Sequence, residues 1–310
     1  KLKPQATPVQ QVKVNWLGLR DRYFCILFKP DFAAAGYFIR SNQDNTIGLG
    51  LYASVPSSHF QGIMYIGPQN AQILSQANAG WEQIVHFGAF DAISRLVLKT
   101  LGFFHKFLPN WGLSIIGLSC LIFFVLYPLT LKSMKSNRGM QKMQPQKKAL
   151  KKQYQNDPQR LNKEIMELYR VHKINPFGGC LPLFLQIPVF FALYQALLRS
   201  LALKGSSFLW IKDLSEPDRL AVFSANIPFI GNELNVLPIL MAITMFFQQK
   251  LSSKTTPSGD PQQQKFMLIF FPILFGVMFY HFPSGLALYW SVYSLLSLGF
   301  QWRQIAAAKT

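Results

Sequence analysis

Trp111–Leu131 (WGLSIIGLSCLIFFVLYPLTL), Lys132–Lys173 (KSMKSNRGMQKMQPQKKALKKQYQNDPQRLNKEIMELYRVHK) and Pro176–Leu198 (PFGGCLPLFLQIPVFFALYQALL) together decide the fold. The first stretch has no Asp, Glu, Lys or Arg in 21 residues, and the last has none in 23. The stretch between them carries 12 Lys and Arg against 3 Asp and Glu, which is +9 of the chain's net +18. Each uncharged run is long enough to cross a hydrocarbon layer about 30 Å thick. A Lys/Arg-rich connection is retained on the cytoplasmic side of a membrane. The expectation is an α-helical integral membrane protein with a large basic cytoplasmic element.

Working outward, composition agrees. Half of the 310 residues are hydrophobic, 28 are Phe, and 14% are charged, against about 25% in a soluble domain. That length suits one membrane domain and a small soluble one. Cys25, Cys120 and Cys180 show no metal or redox spacing, and two of them fall in expected spans, where a thiol acts as a small hydrophobe. The chain starts at Lys1 with neither Met nor a hydrophobic leader, so an upstream part is expected to be missing.

Residues 12–67 read as strands. Val12, Val14, Leu17 and Leu19, then Tyr23–Phe28, Gly48–Val55 and Gly62–Ile66, are separated by turn formers such as Ser41–Asn45 and Gly67-Pro68. They are too few for a complete sandwich, so residues 1–85 are expected to be the C-terminal part of an external β domain, with 69–85 helical. Residues 86–109 hold an amphipathic helix, because Phe90, Ile93, Val97, Leu101, Phe104 and Leu108 recur at helical steps. Such a helix either lies in the membrane interface or packs into the soluble domain.

The basic insert, 132–174, reads as a hairpin of two helices. Asp157-Pro158 is an N-cap followed by proline at the first helical position. Leu161, Ile165, Leu168 and Val171 then form one stripe, facing Met143, Leu150 and Tyr154 before it. Lys147, Lys148, Lys151, Lys152, Arg160 and Lys163 supply its charge. Further on, Leu234–Gln249 is uncharged, and Phe266–Trp302 is 37 uncharged residues broken at His281–Gly285. Five spans result, at about 110–131, 176–200, 234–250, 265–281 and 284–302, with a cytoplasmic tail at 306–310. Lys250, Lys254, Lys265, Arg303 and Lys309 fall on the cytoplasmic side, and the mixed-charge segment 203–233 falls outside.

Several classes are disfavoured. No phosphate-binding glycine loop and no nucleophile–His–acid set can be placed, so neither an enzyme, a metal site nor a cofactor is expected. The spans hold no internal charged residue, which opposes an ion-coupled transporter. They do hold Ser119, Gln186, Gln195, Thr244, Gln248, Tyr289, Ser291 and Ser294. These either bond helix to helix or line a polar recess open to the cytoplasm. Sixteen helical residues rise only about 24 Å, so the shorter spans also suggest a locally thinned bilayer.

The residues then match a specific pattern. Asn110-Trp111-Gly112 with Tyr127-Pro128-Leu129-Thr130 resembles the first core span of the YidC/Oxa/Alb insertase family. So do Asn175–Pro182, Gln186–Phe190 with Ala192-Leu193-Tyr194, Trp210–Leu214, Met245-Phe246-Phe247 with Gln249-Lys250, and Phe282–Leu286, in order over nearly the whole chain. The resemblance implies a five-span core (residues 110–305) around a groove open to cytoplasm and lipid, with a hairpin that receives substrates. In bacterial members a periplasmic β-sandwich precedes that core, and Tyr65–Pro68 and the helix at 90–108 look like its end. It further implies that Ser119, Trp290 and neighbouring Tyr289 face the groove, and that Gln186, Ile187 and Phe190 present to a substrate helix. Bacterial members usually carry an Arg four residues before the Tyr of the Tyr-Pro pair; here that position is Phe123.

The function so implied is insertion of nascent membrane proteins into the bacterial inner membrane, alone or with the Sec translocon, with the ribosome and anionic lipids as further partners of the basic hairpin. The alternatives are a channel or uncoupled carrier, and a structural subunit of a translocon.

Overall fold

The computed structural model describes residues 14–32, 34–41, 47–53, 59, 61–77, 80–175, 178, 181–227, 231–255 and 261–307. The chain divides into a unit of 1–87 with 199–201 and a unit of 88–198 with 202–310.

In the first unit β1 (Leu17–Arg20), β2 (Phe24–Pro30) and β5 (Gly62–Pro68) form an antiparallel sheet in the order β1-β2-β5. The β1–β2 turn is set by Asp21, whose Oδ1 accepts from the backbone N–H of Tyr23 and Phe24, each at 2.7 Å. Cys25 and Leu27 are buried while Phe24 and Ile26 are exposed, the two-residue alternation of a half-buried strand. A second hairpin joins β3 (Ala34–Ser41) to β4 (Ile47–Ala53), with its register shifting between Ala34 and Gly36. Strand β3 was not anticipated, because Ala34-Ala35-Gly36 has neither β-branching nor clear alternation; cross-strand pairing with Leu49 and Leu51 recruits it. The segment after β5 forms α1 (Ala71–Gln76) and a 3₁₀ turn at Trp81–Ile84, with Leu74 and Trp81 buried. Val12, Ser54 and Val55 of the expected strands lie outside the described residues, as does Asn42–Asn45 of the expected turn.

The second unit is helical. Helix α2 (Asp91–Phe107) is the expected amphipathic element. It packs on the helical unit, not in a soluble domain: Ser94 Oγ donates to Ala192 O at 3.1 Å, and Phe104 lies against Gly117, where a Cβ would meet the ring at 3.0 Å. Its other face leaves Leu96, Phe103 and Phe107 exposed.

Helix α3 (Trp111–Lys142) is capped by Asn110, whose side chain accepts from the N–H of Gly112 and Leu113. The expected boundary at residue 131 is corrected. The helix continues for 32 residues into the basic stretch, with Pro128 and Gly139 inside it, because Lys and Arg are good helix formers; it ends at Lys142, before Pro145. The hairpin proper is therefore α4 (Gln144–Gln153) and α5 (Pro158–Val171). Asp157 caps α5 by accepting from Arg160 N at 3.0 Å. Tyr169 is buried and Leu161, Ile165 and Leu168 are half-buried, but Val171 is 67% exposed and drops out of the stripe. Lys147 Nζ sits 5.5 Å from the Tyr169 ring, and the Arg160 guanidinium 5.1 Å from Tyr154.

Helices α6 (Leu181–Arg199), α7 (Val236–Thr255), α8 (Pro261–Phe279) and α9 (Ser284–Ala307) complete the unit. Helix α9 packs against both α3 and α7, and α7 against α8. The buried core draws on Ile115 and Leu118, Ala192, Leu193, Ala196 and Leu197, Leu237 and Met241, Phe279, and Leu286–Tyr289. Those are the ends of α3, α6, α7, α8 and α9 that adjoin the segment 200–235, so the close packing lies at one end of the bundle. Elsewhere the bundle exposes Phe124, Phe184, Ile243, Ile273 and Leu295. A soluble bundle would bury apolar surface of this extent. Among the described residues α3 alone is both long and apolar enough to cross a bilayer; Phe184–Arg199 and Lys265–Phe279 are shorter apolar helices.

Candidate functional site

Away from the packed end, the helices separate around a cavity of about 360 Å³. Its wall comes from the half of each helix nearer the basic segment: Thr130–Arg138 of α3, Gln186 of α6, Met245–Ser252 of α7, Met267–Phe275 of α8 and Trp290–Gln301 of α9. Because the opposite halves form the apolar core, the cavity is closed at one end by packing.

Its chemistry is amphipathic. Gln248 Nε2 donates to Ser297 Oγ at 2.9 Å, Gln301 Nε2 reaches the same hydroxyl at 3.3 Å, and Gln186 Nε2 donates to the Tyr289 hydroxyl. Oε1 of both Gln186 and Gln301 is buried with no partner. Buried polar atoms are normally satisfied, so these two acceptors suit water or a visiting polar group. Facing them, Met245, Met267, Phe271 and Phe275 supply a soft apolar wall, with Trp290 stacked on Phe275 at 5.5 Å. Arg138 is the charged residue of the lining, and it is exposed at the rim.

The closed end is held by polar bonds from the segment between α6 and α7. Asp218 is 2% exposed, and its Oδ2 accepts from Trp210 Nε1 at 3.1 Å and from the N–H of Val236 and Leu237 at 2.9 and 3.0 Å. A carboxylate at these first backbone donors caps α7. Asn235 Nδ2 donates to Tyr280 O at 2.8 Å, and the Tyr280 hydroxyl donates to Glu233 O at 2.7 Å. Arg219 pairs with Glu216 and Glu233 at 2.8 and 2.9 Å, and hydrogen bonding to Glu233 holds its guanidinium above the usual value. Gly285 N donates to Leu214 O at 2.9 Å; a Cβ there would meet Leu214 O, Ile115 and Leu197 at 3.0–3.1 Å. The Pro283-Ser284-Gly285 turn thus needs glycine for close approach.

The sequence-derived residues fall in three places. Gln186 and Trp290 line the cavity together. Ser119, Phe123 and Tyr289 are buried: Ser119 Oγ donates to Ile115 O of its own helix at 2.7 Å, and Phe123 packs edge-on against Tyr293 and Phe300, with ring centroids at 5.9 and 6.3 Å. Phe190 is half-buried behind Trp290 at 5.8 Å, and Ile187 is 42% exposed on the outside of α6. Sequence reading passed over Arg138, Met267, Phe271, Phe275, Tyr293, Ser297 and Gln301 as lining residues, and Asp218 as the bond centre of the closed end. Arg138 was counted within the basic hairpin; the apolar residues were indistinguishable from span filler.

A sequence model of the 60Kd inner membrane protein family matches residues 103–309. The chain belongs to this family. Among relatives of the 60Kd inner membrane proteins, a "Membrane protein insertase YidC" of Pelobacter propionicus is 38% identical over 304 residues, covering 96% of this chain and 55% of the relative. Proteins of the same name from Lawsonia intracellularis and Cupriavidus metallidurans are 44% and 37% identical, covering 79% and 99% of this chain and 44% and 54% of those relatives. The chain thus spans about half the length of the relatives it matches. A crystal structure described as "Active YidC insertase crystal structure with the first transmembrane domain resolved" shares its fold, with a TM-score of 0.55 at 21% identity over 94% of this chain and 64% of that one. Membership makes this a bacterial inner-membrane protein of mainly helical fold, with β strands before the helical core.

Proposed function

We propose that this chain works as a membrane protein insertase, receiving hydrophobic segments of nascent proteins in the α3–α9 cavity and releasing them sideways into lipid. One observation carries the reading: a cavity with unsatisfied amide oxygens, closed at one end by an apolar core, inside a bundle whose outer surface is apolar. A segment's polar flank can rest on Gln186, Gln248 and Gln301 while its apolar part leaves between the helices. The driving term is transfer of the segment from water to lipid, about 25 cal/mol per Å² of apolar surface, so no nucleotide is consumed.

The five helices α3, α6, α7, α8 and α9 are its five spans, the open end of the cavity faces the cytoplasm with the C-terminus, and residues 14–85 lie in the periplasm. The placement of Lys132, Lys135, Arg138, Lys250 and Arg303 at one end of the bundle supports this orientation. Helix α2 lies in the outer interface, with Leu96, Phe103 and Phe107 toward the acyl chains. The groove works at Ser119, Phe123, Gln186, Ile187, Phe190, Tyr289 and Trp290 or through the helices that carry them. The α4–α5 hairpin, with Lys147, Lys148, Lys151 and Lys152, meets anionic lipid headgroups or the ribosome, and the Sec translocon is a co-worker for larger substrates. The packed closed end opposes the channel reading, which needs a continuous path.

The test is insertion of a small two-span substrate into vesicles containing only this chain, read by protease protection. Protection of the translocated loop supports the proposal. Ion conductance without protection would establish a channel in its place, and neither activity would leave a structural translocon subunit.

A further inference from the structure

A second recess lies on the other side of the α7–α9 pair and shares no residue with the cavity. Phe247 and Leu251 of α7 and Leu295, Leu298 and Gly299 of α9 form it, with Lys250 and Trp302 at its edge; its volume is about 430 Å³. The floor is open because of glycine: nothing lies within 4 Å of a Cβ built on Gly299. Lys250 is exposed and pairs with no carboxylate among the described residues, and Trp302 is 71% exposed. We propose that this notch binds one anionic phospholipid, with an acyl chain along Leu295, Leu298 and Gly299 and the headgroup phosphate on Lys250.

Two observations select that occupant. The walls are apolar with a single cation at one end, which is the charge pattern of a lipid with an anionic head. The cation and the exposed indole lie together at the end of the bundle that carries Arg138 and Arg303, where Trp and Lys sit at headgroup level. The inference rests on membrane embedding and goes beyond insertion activity, so a failed insertion assay leaves it standing.

The test uses the full chain purified in mild detergent, stripped of lipid and offered phosphatidylglycerol or phosphatidylcholine of identical acyl composition. Retained lipid is counted by native mass spectrometry. The wild type is expected to keep one phosphatidylglycerol with about fivefold preference, the factor of a single Lys at a membrane surface. Lys250→Gln, a change at an exposed side chain, removes the preference. Gly299→Leu fills the notch and releases both lipids at unchanged circular dichroism; if that variant misfolds, Lys250→Gln decides alone. Equal retention of both lipids by the wild type, undiminished preference in Lys250→Gln, or displacement by equimolar inorganic phosphate would each overturn the assignment.

Discussion

Asp218→Ala tests the physical account of the closed end. The carboxylate is 2% exposed, and one oxygen, Oδ2, accepts three hydrogen bonds at 2.9–3.1 Å, from Trp210 Nε1 and the Val236 and Leu237 amides. Truncation strands three donors, of which the Leu237 amide is buried and the other two are partly so. A hydrogen bond to a charged group contributes about 1.5–3 kcal/mol, and losing an N-cap costs about 0.5–2. Against that stands relief from burying the carboxylate, which is several kcal/mol in the opposite direction. The net expected loss is about 3–5 kcal/mol, three hydrogen bonds to a charged acceptor less the relief of its burial. Asp218→Asn keeps an acceptor oxygen for the same donors, gives up the charge and puts an amide NH2 where Oδ1 is buried without a partner, so its loss is about 1–3 kcal/mol. Asp213→Ala is the control. Asp213 Oδ1 serves Ser215 N and Oγ within one local turn, each at 2.8 Å, and about 1 kcal/mol is expected. The assay is unfolding of the purified chain in mixed micelles, followed by helical circular dichroism and Trp fluorescence. A loss under about 1 kcal/mol for Asp218→Ala, or Asn as damaging as Ala, would refute the reasoning.

Phe123→Arg is expected to raise insertion of single-span substrates with acidic external tails; because Phe123 is 6% exposed among Tyr127, Tyr293 and Phe300, the guanidinium reaches the cavity by displacing the Tyr293 ring. No gain in a protease-protection assay means that the charge is not what position 123 lacks. Gln186→Leu removes a cavity amide and leaves the buried Tyr289 hydroxyl without its partner, which costs about 1–3 kcal/mol; Tyr289→Phe in the same chain should recover most of that, and failure to recover would show that the pair is not coupled. In a Cys120→Ser, Cys180→Ser background, Cys25 should resist iodoacetamide, since burial first and then Asp21 push its thiol above the ordinary value while 1% of it is exposed. Thiolate is the reacting form, so the rate should still be climbing at pH values where a free thiol has levelled off; a plateau at the free-thiol position would contradict this.

Much of the helical unit was legible because single residues announce it. Asp157 marks the start of α5, and Pro283-Ser284-Gly285 marks the turn between α8 and α9, as found; Asn110, which caps α3, was quoted only as part of the family motif. Charge gave the asymmetry between the ends. The end of α3 was misplaced because the loss of apolarity at Lys132 was taken as the end of a helix, although backbone hydrogen bonding is indifferent to whether side chains meet lipid or water. The cavity itself was half legible. Gln186 and Trp290 were named, but Phe271, Phe275 and Met267 were not, since in a bilayer the outside of a helix is as apolar as its core. Hydrophobic periodicity therefore cannot say which face turns inward.

Sequence alone determined that this chain lives in a membrane and belongs with the insertase-like chains, because those properties are sums over long uncharged runs and motifs read in order. Only the tertiary structure decided which residues share a space. It put Gln186 beside Tyr289 across 103 positions and set Phe123 into a ring cluster behind Tyr293. It also placed the lining charge at Arg138, about 22 Å along α3 from where the family resemblance looks for it. The physical reason is that helix packing is fixed by side-chain shape and a few long-range polar bonds such as those of Asp218, and neither leaves a periodic mark on the chain.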